Sequence, residues 1–128
     1  MKILLDTQAL ILAGRDELSA AASRAFCLPS NQIYFSLVSL WEIGIKKSFG
    51  KLEFPHQITH YHSMLINKLG LYDLSISPEH IEKSVSLPFH HRDPFDRLII
   101  GQALVENFTL MGSDQIFRSY GCKVIWDS

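Results

Sequence analysis

At 128 residues, with 47% hydrophobic and 20% charged residues, the chain is long enough for one buried core, and its composition excludes a disordered or membrane protein. Its 12 Lys and Arg against 13 Asp and Glu leave a net charge of -1, which excludes a general attraction to phosphates, so a nucleic acid would need a local patch. Two cysteines, Cys27 and Cys122, are too few for a disulfide framework or a metal knuckle and read as free core thiols in a reducing cytoplasm.

The opening MKILLDTQALILAG resembles a secretory leader, but Asp6 and Gln8 interrupt the apolar run and no segment approaches membrane-spanning length, so it is read as folded structure. Its KILL, residues 2–5, is the first expected strand. A helix is expected over 18–26, a strand over 33–36 (IYFS), a helix over 37–49 and a helical stretch from Pro55 to about Leu69. Then come a strand over 72–76 (YDLSI), helices over 78–85 and 94–108, and strands over 109–111 (TLM) and 123–126 (KVIW). Gly50 and Gly70 read as helix C-caps, Ser77-Pro78 as a helix start, and Asp93-Pro94 as an N-cap followed by the first helical position. No repeat or linker divides residues 1–128, so a single domain is expected. Strands alternating with helices predict an α/β fold, a parallel sheet covered on both faces.

In such a sheet, ligands bind beyond the carboxyl ends of the strands. Asp6 directly follows KILL, Asp114 follows TLM across a Gly112-Ser113 turn, Glu42 sits in the helix that leaves IYFS, and Asp96 lies in the first turn of the helix beginning at Pro94. Each has an ordinary explanation as a cap, a dipole partner or surface charge. Spacing weakens it for two of them. Glu42, four residues after Val38, flanks an apolar stripe with Trp41 and Ile45, and Asp96, four residues before Ile100, falls on an apolar face, while Asp93 can face solvent. No lysine or arginine at helical spacing is assigned to neutralise these carboxylates, and an unpaired one there is costly. Four converging carboxylates need protons or a cation, and hard oxygen ligands select Mg²⁺ or Mn²⁺ over zinc. That ion suits phosphodiester hydrolysis.

LLDTQAL, SLWEIGIKK, LPFHHRDPFDRLIIGQAL and TLMGSDQIFRSYGCKVIW together resemble the PIN-domain ribonucleases, specifically the VapC-type toxins of bacterial toxin–antitoxin pairs, over nearly the whole chain. The resemblance implies an α/β/α sandwich with a parallel sheet of about five strands and an acidic site with one or two divalent ions, Mg²⁺ or Mn²⁺. It implies RNA cleavage that leaves a 5′-phosphate and a 3′-hydroxyl. It also implies an inhibitory antitoxin, a homodimer and a cytoplasmic location. By matching motif, Asp6 and Asp96 are direct metal ligands, Glu42 ligates or orients water, and Asp114 is the more variable fourth acid. Two departures stand out: Gly112 where relatives often carry a hydroxyl residue, leaving Ser113 as the nearest hydroxyl, and Gln8 where many carry histidine.

Around these acids, Arg97, Arg92 and Lys46 are candidate RNA contacts, with His90, His91, Lys47 and Lys51 nearby, although a solvated charged face explains them equally. Arg97, next to an acid, suits structural pairing or substrate contact. His56 and His60 have zinc-pair spacing without a third ligand, and Trp41 and Trp126 read as core. Two other function classes compete. A receiver-like phosphoacceptor wants an acidic pair after the first strand and a lysine after the last, where this chain has one acid and Asp127-Ser128; a D-x-D phosphatase fails on DTQ. A PIN fold with weak catalysis, serving as a binding module, is the remaining alternative.

Overall fold

After Lys2, strand β1 (Lys2–Leu5) contains only Ile3, Leu4 and Leu5, all fully buried. Strand alternation sends Ile3 and Leu5 into one core and Leu4 into another, so this strand is covered on both faces. In the computed structural model, which describes residues 1–126, β1 pairs in parallel with β2 (Gln32–Ser36) on one side and with β4 (Thr109–Met111) on the other. Ile3 lies opposite Ile33, and Leu4 opposite Leu110. β3 (Tyr72–Leu74) extends the sheet beyond β2, and β5 (Val124–Ile125) beyond β4, giving five parallel strands in the order β3-β2-β1-β4-β5. Asp127 and Ser128, used above against a receiver, lie outside the described residues. The strand order argues independently against that reading, because receivers are wound 2-1-3-4-5.

Six α-helices cover the sheet: α1 (Thr7–Gly14), α2 (Ala20–Cys27), α3 (Leu37–Ser48), α4 (Ile58–Asn67), α5 (Pro78–Ser86) and α6 (Pro94–Glu106). On one face Ile3, Leu5, Phe35 and Met111 meet Leu10, Ala22, Ile43 and Leu65 of α1 to α4. On the other, Leu4 and Leu110 meet Leu87, Ile99, Ile100 and Phe117 around α6. The chain travels outward from β1 through β2 to β3, then returns through α5 and α6 to add β4 on the far side of β1. With right-handed crossovers, this reversal places the two helix sets on opposite faces and opens a crevice at the carboxyl end of β1.

Local chemistry sets the boundaries. Asp93 caps α6 by accepting the Phe95 N–H at 2.9 Å with Pro94 at the first position, and Ser77 and His80 form a reciprocal capping box on α5. Asn107 ends α6 in the left-handed region, φ 57°. The differences from expectation are few. α1 and a short 3-10 helix, Gln115–Tyr120, were not assigned from sequence, and β3 stops at Leu74. Trp41 is 63% exposed, against the core placement expected for it, and meets Phe95 edge-on at 5.5 Å; Cys27 is also exposed, while Cys122 is buried. Among the described residues no helix is long and apolar enough to cross a membrane.

Candidate active site

Two of the acids follow a strand at this edge and cap the helix that comes next. Asp6 Oδ1 accepts the Ala9 N–H at 2.7 Å to start α1, and Asp114 Oδ1 accepts the Ile116 N–H at 3.0 Å to start the 3-10 helix. Capping and convergence are not rival readings here: a cap at this junction faces the crevice. Asp6 is 5% exposed, and one backbone hydrogen bond does not offset that burial. Its carboxyl is pushed up to about 7, first by burial and further by the charges of Asp96, Glu42 and Asp114. All four predicted acids line one cleft of about 470 Å³ together with Asp93, which sequence reasoning had turned toward solvent. A slightly larger depression, about 530 Å³, lies among Phe26, Leu28 and Tyr72 near the opposite edge and has no carboxylate in its lining.

Glu42 is held on both oxygens. Thr7 donates its hydroxyl to Oε1 at 2.6 Å, with Ser39 Oγ 3.0 Å from that hydroxyl, and Lys46 donates to Oε2 at 2.5 Å. Lys46 stands at i+4 on the same helix, so the neutralising cation that spacing analysis failed to assign is this one. Glu42 raises the lysine's pKa chiefly through that hydrogen bond. Lys46, predicted as an RNA contact, is thus first a partner of Glu42. Thr7 was missed as a site residue; its place in LLDT, one residue after the strand-ending acid, was the available signal. Asp96 is pushed up to about 6 by burial and by Asp93, with His91 opposing. His91 Nε2 lies 2.9 Å from Asp96 Oδ2 and 3.4 Å from Asp114 Oδ2.

Arg97 requires a correction. It is 7% exposed, and its guanidinium donates to four backbone carbonyls: Ser84 at 3.0 Å, Leu87 at 2.8 Å, Pro88 at 2.8 Å and His91 at 3.2 Å. Two of these belong to the end of α5, where the helix dipole is negative, and the Phe89 ring packs 4.7 Å from the guanidinium carbon. No face is left for a phosphate, so Arg97 staples the 84–91 segment and does not hold RNA. Arg92 is exposed, as an RNA contact requires, and Arg15 and Lys51 join Lys46 in the cleft lining.

The two departures meet at the same edge. Ser113 donates to Gln8 Oε1 at 3.2 Å, tying the end of β4 to α1. A Cβ at Gly112 would collide with Asp6 Oδ2 and stand 2.8 Å from both Asp6 Cγ and Phe117 Cε2. Gly112→Ala is therefore expected to displace Asp6 and destabilise the fold by about 1–3 kcal/mol; an unchanged urea midpoint would show that the edge has slack.

The family model described as PIN domain matches residues 3–122. The chain belongs to the PIN-domain family. No curated protein sequence matches this PIN domain. Among solved structures it is similar to a chain of VapBC2 from Rickettsia felis bound to a promoter DNA fragment, with TM-score 0.74 and 19% identity, covering 99% of this chain and 100% of that one. It is also similar to VapBC-1 from nontypeable Haemophilus influenzae, TM-score 0.67, 19% identity, 97% and 96% covered. DNA-bound VapBC from Salmonella typhimurium gives TM-score 0.67 at 16% identity with 97% and 96% covered.

The donor chemistry of this PIN domain's cleft fits a divalent cation. Five carboxylates line it, Glu42 is the one paired with a lysine, and burial and mutual repulsion hold Asp6 and Asp96 far above the ordinary carboxylate range. Among the described residues, one ligand atom each from His91, Asp96 and Asp114 lie within 4.8 Å of one another, whereas His56 and His60, with rings 6.1 Å apart, join no such cluster.

Proposed function

We propose that this PIN domain is a divalent-metal-dependent ribonuclease, the toxin of a toxin–antitoxin pair that its antitoxin holds inactive. The observation that carries the reading is the convergence of Asp6, Glu42, Asp96 and Asp114 on one cleft, where burial and the neighbouring carboxylates push the Asp6 carboxyl up to about 7. Asp6, Asp96 and Asp114 present oxygens to Mg²⁺ or Mn²⁺, and Glu42, fixed by Thr7 and Lys46, orients water or completes the ligand set. When bound, the cation supplies a Lewis acid for a phosphoryl oxygen and lowers the pKa of water. Arg15 and Lys51 in the cleft lining, with Arg92, hold backbone phosphates of RNA. The VapBC assemblies to which the fold is similar support an antitoxin as partner.

The protein freed of any partner is expected to cleave RNA with Mg²⁺ or Mn²⁺, to stop on chelation, and to lose about 100-fold or more of its rate in Asp96→Asn. Undiminished cleavage by that variant would sink the mechanism. Calorimetric titration with Mn²⁺ separates the catalytically weak alternative: a wild type that binds no metal is a binding module.

A further inference from the structure

Beside the acidic cleft lies a second, smaller cavity that shares a wall with it. Ile11 and Arg15, one turn apart at the end of α1, line both. The connection between α3 and α4 also runs along both, giving Lys51 and Leu52 to the cleft and Phe54, Pro55 and His56 to the cavity. Tyr61 of α4 closes it. Its volume, about 110 Å³, is well below the roughly 300–1,000 Å³ of a site for a drug-sized ligand and suits one flat ring.

The lining is aromatic and held in place. Phe54, 9% exposed, meets Tyr61 edge-on with ring centres 4.7 Å apart, and the half-buried His56 lies within 17° of parallel to Tyr61 at 5.8 Å. Lys47 ties the connection to α3: its Nζ donates to the His56 carbonyl at 2.7 Å and stands 5.9 Å from the centre of the Phe54 ring. Burial pushes the Tyr61 hydroxyl up to about 12, with the Arg15 charge opposing, so the floor of the cavity is uncharged. Arg15 is exposed and makes no ion pair among the described residues, which leaves its guanidinium available where the two cavities meet. Aromatic rings beside an arginine are the two halves of a nucleotide site, since a base stacks on the rings and a phosphate takes paired hydrogen bonds from the guanidinium.

We propose that this cavity receives an unstacked nucleobase of the RNA substrate, stacked on the His56 ring, while Arg15 holds the phosphate that joins this nucleotide to the one at the carboxylates. The proposal rests on the ribonuclease reading of the cleft and adds a specificity contact to it: an RNA is a substrate where a base near the scissile bond can leave its stack, and a continuous duplex is disfavoured. The histidine singled out by zinc-pair spacing thus acquires a role that needs no third ligand.

The four ribonucleoside 5′-monophosphates, added in chelator so that neither metal nor cleavage enters, are expected to shift the ring proton resonances of His56 and Tyr61 for at least one base, and inorganic phosphate is not. For that nucleotide, His56→Ala and Arg15→Ala are each expected to weaken binding about 10-fold, and His56→Phe to keep most of the affinity. With Mg²⁺ and a single-stranded RNA, His56→Ala is expected to raise KM about 10-fold and to change kcat far less, because the contact is made away from the reacting atoms. Rings unmoved by all four nucleotides, equal shifts from inorganic phosphate, or an unchanged KM in His56→Ala would each overturn the proposal. Ring shifts from an aromatic amino-acid amide and from no nucleotide would assign the cavity to a partner protein's side chain and overturn it as well. Should His56→Ala not fold, the wild-type spectra and His56→Phe still decide it. A wild type that cleaves no RNA with either ion would instead remove the ribonuclease reading, and this proposal with it, so the two failures are distinct.

Discussion

Asp6→Asn is expected to stabilise the metal-free protein above pH 7 while abolishing Mn²⁺ binding and RNA cleavage. The opposite signs follow from one cause. The Asp6 carboxyl ionises near 7 in the fold, against an ordinary value of 3.8, with burial the largest contribution. Folded chains therefore keep a proton that unfolded chains release between those values, so stability is whole below about pH 4, falls as pH rises through 7, and is lost above it. The buried group alone spans about 4 kcal/mol. Asparagine removes the charge and retains an oxygen for the Ala9 N–H, so most of that span is recovered. Asp96, raised to about 6, adds a slope of the same sign. Urea unfolding in chelator from pH 4 to 8 measures it, and added Mg²⁺ is expected to flatten the wild-type profile by binding the folded state. A metal-free profile that rises with pH over this range would contradict the burial of Asp6 as a free carboxylate.

Arg97→Met is expected to be the most destabilising single change on α6. Methionine fills part of the volume but removes the guanidinium donors from the carbonyls of Ser84, Leu87, Pro88 and His91, of which Pro88 keeps the Tyr120 hydroxyl and Ser84 a long bond from the Leu87 N–H. Losing several charge-assisted bonds at once costs about 3 kcal/mol or more, a fall in melting temperature of roughly 10 °C for a chain of this size. Arg97→Lys is expected to recover only part of the loss, since a point charge cannot span four acceptors arranged around a planar fork. Both variants should also weaken Mn²⁺ binding, because the released segment packs against Asp96 and Asp114 through His91. A melting temperature within about 2 °C of wild type in Arg97→Met would show that other contacts hold the segment.

The strands and the capped helix starts were legible because each carries its own local signal. KILL predicts β1 to the residue, and Asp93-Pro94 predicts the start of α6, since a buried strand and a proline-led helix are encoded by neighbours in sequence. α1 was not legible, because TQALILAG is apolar around much of its circumference and shows no stripe. The same property misdirected the reading of α6. Arg97, Ile99, Ile100, Gly101, Gln102 and Ala103 are all buried, so spacing from Ile100 could not say that Arg97 is more enclosed than Asp96. That Asp6 and Asp114 reach this edge was legible from their places after strands, and Glu42 and Asp96 from their places on helices; what each one touches was not. The bond from Thr7 to Glu42 joins elements far apart in the chain, and those from Arg97 to the end of α5 depend on how the connection between two consecutive helices folds back.

The placement of β1 at the centre of the sheet has a temporal consequence. Asp6 is made first, yet the backbone against which it rests, at Gly112, and the partner acid Asp114 are made more than a hundred residues later. Contacts of such separation form late, because the intervening chain must be ordered before they close. A chain still being translated, surrounded by ribosomal and messenger RNA, thus holds its acids apart until its last strands emerge. For a nuclease, this connectivity delays completion of the cleft until synthesis is nearly finished.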